Sequence, residues 1–476
     1  MLFNSIEFGF FFISVFGLYW FVAGKNLRLQ NLLLLVVSYV FYSFWDWRFL
    51  FLLIFSTLLD YYSGLKIESS QKPNARRAWL WISLGINLGF LGVFKYYNFF
   101  IESFVAGFDR LGITIEPWTL TVILPVGISF YTFHGVSYII DIYKRRIQAE
   151  RNFIEYSVFV CYFPLLVAGP IERATHLLPQ IKKPRRFDYA LAVDGLKQVL
   201  WGLVKKVVIA DNCAVFANQI FNHAGDYEGS TLFLGALFFS FQIYGDFSGY
   251  SDIALGTSKM LGIHLLKNFS FPYFSRSIPE FWRRWHISLS SWFRDYLYIP
   301  LGGSMVGRWA KIRNTFITFT VSGFWHGANW TFVFWGFLNA VYMIPSLWMN
   351  KPKTAGDKTH SIKAIVQMGM TFFLVVLAWI FFRSPSIGDA FRYISGIFSK
   401  GLFSRPSFEG IHDAAIVLLL VAAFFVIEWL GKTEEFAIQK FGSKWPRFLR
   451  WSAYCIFIFT ILYFSGEQQE FIYFQF

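Results

Sequence analysis

Ser322-Gly-Phe-Trp-His-Gly-Ala-Asn-Trp330 decides how this chain is read, because it sets an ionisable side chain, His326, among residues that read as membrane-embedded. The nearest upstream charge is Arg313, thirteen residues before His326. At roughly 1.5 Å per helical residue that is about 20 Å of depth, well into a hydrocarbon core of about 30 Å. An ionisable residue at such a depth is by default a functional-site hypothesis. The competing reading is a histidine that only hydrogen-bonds one helix to another.

Composition supports the membrane setting. Of 476 residues, 55% are hydrophobic, 22% aromatic and only 15% charged, a balance that a water-soluble domain of this length would struggle to keep in solution. Apolar segments run near residues 5–23, 31–46, 48–65, 79–98, 120–142, 231–257, 328–348, 363–382, 413–430 and 450–466, with further ones near 153–170, 196–220 and 313–325. The expectation is an all-α, polytopic integral membrane protein with about 10 to 13 membrane segments. One membrane domain, 1–476, is expected, with N-terminal helices over 1–257, a central region over 258–348 and C-terminal helices over 349–476. The first apolar run is long and lacks a basic leader and a small-residue cleavage site before Lys25, so it is read as a retained helix.

A net charge of +14 is also found in nucleic-acid-binding proteins, yet here the basic residues fall mainly in short loops between apolar runs, the distribution that orients a membrane protein. Lys25 and Arg28, then Lys66 to Arg77, then Lys144 to Arg146 occupy alternate loops, while the loop near 99–118 carries Glu102, Asp109 and Glu116. The N-terminus is therefore expected outside. After residue 340 the signal weakens, since the loops near 351–358 and 432–450 are both basic. Cys161, Cys213 and Cys455 sit apart in apolar contexts, without the paired spacing of a disulfide framework or a metal site.

Two further stretches carry polar chemistry. Between about 258 and 313 the apolar pattern breaks into basic residues interleaved with aromatics and with Pro272, Pro279 and Pro300, which reads as short amphipathic helices at the cytoplasmic face. Ser277-Ile-Pro-Glu280 is a helix start, and Phe281-Trp-Arg-Arg-Trp-His286 is expected to continue that helix. Helical spacing then puts Trp282, Trp285, His286 and Leu289 on one face. An interfacial anchor is the plainer account of Trp and Arg there, and a second histidine on the apolar face counts against it. The run Tyr244-Gly-Asp-Phe-Ser-Gly-Tyr-Ser-Asp252 places Asp246 and Asp252 in an otherwise apolar helix. Carboxylates are expensive in a bilayer and face the protein interior or a water-filled path, so these two read as scaffold or tunnel residues.

Taken with Leu124–His134, Ala168–Arg173, Arg294-Asp-Tyr-Leu-Tyr298, Leu301-Gly-Gly303, Ala378–Arg383 and Phe471–Phe476, these stretches give the chain a strong resemblance to the membrane-bound O-acyltransferase family. It looks closest to the bacterial branch that serves alginate and peptidoglycan acetylation. The resemblance covers most of the chain. It implies a ring of helices around a thinned central region with a tunnel, with His326 as the essential intramembrane histidine. It also implies His286 as a second site residue near the cytoplasmic entrance, with Trp325, Trp285, Asn329, Asp246 and Asp252 as supporting or tunnel-lining residues. By the same resemblance, the protein would be a multi-pass protein of the bacterial inner membrane. It would have no resident cofactor, would use acetyl-CoA or another acyl thioester as donor, and would serve an extracytoplasmic polysaccharide. A separate periplasmic esterase-like transferase would act as partner.

The chemistry suits those residues. Acyl transfer to a hydroxyl needs removal of the hydroxyl proton and stabilisation of an oxyanion, and a desolvated imidazole rests neutral and available as a base. Asn329, at i+3 from His326, would share its helical face and could orient the histidine or donate to the oxyanion. A helix-packing hydrogen bond is the other account of Asn329. No serine or cysteine is placed as a nucleophile, and both direct transfer and an acyl-enzyme route stay open, direct transfer being preferred. A polysaccharide or lipid-linked sugar transporter remains the alternative from another class; it would need no base at His326. His134 reads as packing or tunnel lining, His176 lies near the basic anchor Lys182–Arg186, and His264 carries no motif.

Overall fold

The protein is described here by a computed structural model covering residues 1–120, 123–167, 169–348, 361–466 and 469–472. Ala168, the 351–358 loop and Tyr473 to Phe476, all invoked above, lie outside the described residues. Among those residues the ordered elements are helical throughout, as expected.

Six helices are long and apolar enough to cross a membrane: Leu27–Asp46, Arg48–Ser69, Pro73–Asp109, Trp330–Trp348, Ile362–Arg383 and Ile411–Gly431. Shorter or more polar helices occupy the remaining apolar segments. The stretch near 153–170 divides into Phe153–Cys161 and Phe163–Leu166, with Tyr162 between them at a non-helical ψ of 114°. Pro164 falls in the first turn of the second piece, where its missing N–H has no helical partner to lose. Residues 231–257 lie within one 32-residue helix, Gly229–Met260, which carries Asp246, Asp252 and several serines.

The chain forms two compact units. The first contains Met1–Gly195 and Ala254–Leu266, the second Leu196–Ile253 and Lys267–Phe476. In the first unit, Asp60 is buried between neighbouring helices, where the Ser83 hydroxyl donates to it at 2.6 Å and the Asn87 amide at 2.8 Å. That pairing offsets the cost of a polar group away from water.

The second unit holds an aromatic core and both histidines of interest. Its helices Arg308–His326 and Trp330–Trp348 form a hairpin whose arms meet at glycines. A Cβ added at Gly323 would run into the carbonyl oxygen of Phe332, and one at Gly336 into that of Phe319. Small residues at such a crossing let two backbones approach closely. The sequence Ser322-Gly-Phe-Trp-His326 thereby becomes the end of a tightly packed arm.

Candidate active site

His326 is the last residue of the Arg308–His326 helix. Gly327 follows in an extended conformation, so the helix stops at the histidine itself. The helix runs unbroken over the thirteen-residue step from Arg313 to His326.

The expected single helix through Phe281–His286 is corrected. One helix, Ile278–Arg284, ends before Trp285, and a second, Ile287–Phe293, begins after His286. His286 itself has φ +43°, a left-handed conformation uncommon outside glycine. Asn268 holds the break in place. Its backbone carbonyl accepts the Ile287 amide at 2.9 Å, its side-chain oxygen accepts the Ser288 hydroxyl at 2.6 Å, and its side-chain nitrogen donates to the Ser251 hydroxyl at 3.1 Å. These tertiary hydrogen bonds override the local helical pattern. The sequence sign of this role is faint, a lone asparagine between Lys267 and Phe269.

The break aims His286 at His326. Their ring centroids lie 6.2 Å apart, and the side chains are 1% and 4% exposed. Aromatic rings enclose both. Phe247 meets His286 edge-on at 4.6 Å, Trp325 stands 6.1 Å from it, and Trp335 and Phe382 stand 5.2 and 5.5 Å from His326. Trp285 packs behind this wall against Trp379 at 5.0 Å. Such a site excludes water. His286 lies outside the membrane-crossing helices, and burial lowers its pKa to about 3, so its imidazole is neutral at physiological pH. A neutral imidazole can take a proton from a hydroxyl.

Asn329 does not share the histidine's helical face. Because the helix ends at His326, Asn329 falls at the start of the next one, where its side-chain oxygen accepts the Thr331 amide at 3.0 Å and its nitrogen donates to the Pro385 carbonyl at 3.1 Å. It caps the Trp330–Trp348 helix.

Asp246 and Asp252 each pair with a buried lysine. Lys205 and Lys206 sit in a wide, π-helical stretch, Val204–Ala210, inside an apolar run. Lys205 bridges Asp252 at 3.0 Å and Glu428 at 3.2 Å, and Glu428 also accepts the Tyr244 hydroxyl at 2.6 Å. Lys206 bridges Asp211 and Asp246, each at 2.8 Å. The Tyr244–Asp252 run thus turns its carboxylates to the lysines and Phe247 to the histidine site.

His134, His176 and His264 are held in the first unit. Glu172 is fully buried; one oxygen lies 2.8 Å from His176 Nδ1, the other accepts the Leu266 amide at 2.6 Å, and its own amide donates to His134 Nε2 at 3.1 Å. His264 exchanges two backbone hydrogen bonds with the Gln180 side chain, each 2.8 Å.

A sequence profile of the membrane-bound O-acyltransferase family matches residues 144–382, which span both histidines. The chain is 39% identical to a probable alginate O-acetylase of Pseudomonas putida, with all of both chains covered. It is 37% identical to a peptidoglycan O-acetyltransferase of Helicobacter pylori, with 83% of this chain and 80% of that one covered. A teichoic acid D-alanyltransferase of Streptococcus thermophilus is 30% identical over 54% of this chain and 66% of its own. A multi-pass membrane protein with this chain-wide similarity belongs to the membrane-bound O-acyltransferase family. It is an acyltransferase.

Proposed function

We propose that the protein carries acetyl groups from a cytoplasmic acyl thioester, acetyl-CoA or a similar donor, toward O-acetylation of an extracytoplasmic polysaccharide, working in the bacterial inner membrane. The observation that carries this reading is the pair His286 and His326, buried together behind aromatic walls. The names of the relatives, which point to alginate and peptidoglycan, support the acceptor class.

His326 takes the hydroxyl proton as the hydroxyl oxygen attacks the thioester carbonyl. The carbon–sulfur bond breaks, and the proton passes to the departing thiolate. His286 holds the donor side of the reacting group. The attacking hydroxyl belongs to a periplasmic esterase-like transferase, and the ester so formed is broken in a second step in which the polysaccharide hydroxyl takes the acyl group.

The test is His326→Ala in cells, read as O-acetyl content of the envelope polysaccharide. Acetylation should disappear while protein level and membrane insertion stay normal. Near-normal acetylation from well-inserted variant protein would remove His326 from the mechanism.

A further inference from the structure

Asp246 and Lys206 do more than neutralise one another. Lys206 Nζ donates to the carbonyl oxygen of Gln469 at 3.2 Å, and Asp246 Oδ2 accepts the amide of Ile472 at 2.7 Å. One buried ion pair therefore grips the C-terminal segment at two backbone points. Nearby, the Asn212 side chain donates to the Phe464 carbonyl at 3.2 Å.

Between the two gripped points lies Phe471, itself 1% exposed. Its ring packs on Tyr250 at 4.7 Å and reaches Phe247 at 6.4 Å, and Phe247 is the ring that meets His286 edge-on. Asp246, Phe247 and Tyr250 are close neighbours on one helix. A contact chain thus runs from the clamped backbone through Phe471 and Phe247 to the site imidazole.

We propose that Asp246 and Lys206 clamp the 469–472 segment against the back of the site, where Phe471 and Phe247 hold His286 in its working position. Asp246 is on this account a positioning residue. The charges have a use here: the buried amide of Ile472 needs a strong partner, and charge-assisted hydrogen bonds to it and to the half-buried Gln469 carbonyl supply one at each end. The apolar alternative, a hydrophobic plug, would bury the segment without fixing its register. The proposal rests on the reading of His286 as a site residue.

The experiment uses the full-length protein in detergent, with Cys161, Cys213 and Cys455 removed and Ile472→Cys introduced, a change that keeps the gripped amide. Modification by N-ethylmaleimide should be slow in this background. Adding Asp246→Ala should speed it at least tenfold and lower kcat about tenfold or more at a donor KM within twofold of the parent, the signature of a displaced rather than a missing group. Asp246→Asn, which retains an oxygen for the Ile472 amide, should restore protection and most of the turnover. Slow modification in Asp246→Ala would overturn the clamp. Fast modification with unchanged kcat would overturn its link to His286. Because the labelling arm does not depend on turnover, a failure of the His286 assignment, seen as full activity in His286→Asn, is told apart from a failure of the clamp.

Discussion

His286 and His326 face one another across 6.2 Å, and each reaches that place by the ending of a helix. One ends by a left-handed turn, the other at a glycine. Two imidazoles this close can address the same acyl group, one at each end of its transfer.

Replacing His286 by asparagine keeps a residue type that tolerates the left-handed backbone. We expect the protein to fold and turnover to fall by about a hundredfold or more, with donor use affected before acceptor use. Purified variant assayed with donor at varied concentration, beside its unfolding temperature, checks this. Unchanged turnover with a lowered unfolding temperature would leave His286 as a packing residue.

Asn329→Ala removes a helix cap and one tie to the Pro385 carbonyl. The expected loss is about 0.5–2 kcal/mol of stability, with turnover at the transfer step close to wild type. Thermal unfolding and initial rates measured on the same preparation decide it; a large rate defect at intact stability would return Asn329 to the oxyanion.

Gly323→Ala forces a methyl group against the carbonyl of Phe332. Overpacking of this kind costs about 1–3 kcal/mol, and here it must also shift the arm that ends in His326. We expect lower thermal stability and lower activity together. Activity retained at wild-type level would show that the hairpin yields without moving the histidine.

His176 gives the pH dependence. Its hydrogen bond to buried Glu172 raises the imidazole pKa above the ordinary value of about 6.5. A raised folded-state pKa means that the stabilisation is complete below about 6.5 and is lost as pH rises through the elevated value. The unfolding temperature of solubilised protein should therefore fall across that window, and His176→Gln should flatten this part of the profile. Parallel pH profiles for the two proteins would dismiss the pair as a source of stability.

The class of fold was legible because burial in lipid leaves a strong mark on composition, and the helix through Ser322–His326 followed from its apolar run. The break at His286 was not, since Trp282, Trp285, His286 and Leu289 fit a continuous helix equally well and the deciding hydrogen bonds come from Asn268. Asn329 was misplaced for the same kind of reason: spacing counts residues along a helix and cannot see that Gly327 ends it. Lys205 and Lys206 passed unremarked inside an apolar stretch. Read beside Asp246, Asp252 and Glu428, three carboxylates in other apolar stretches, they were the available sign of buried pairing.

Those lysines also bear on how the chain is made. A buried ammonium is costly until it is paired, and the carboxylates that neutralise Lys205 come from Asp252 and Glu428, the latter more than two hundred residues later in synthesis. The Lys205 segment therefore leaves the ribosome well before its full complement of counter-charges exists. Its buried ammonium is fully countered only once the Gly229–Met260 and Ile411–Gly431 helices are both in place, so the finished core around Lys205 depends on the carboxyl-terminal third of the chain.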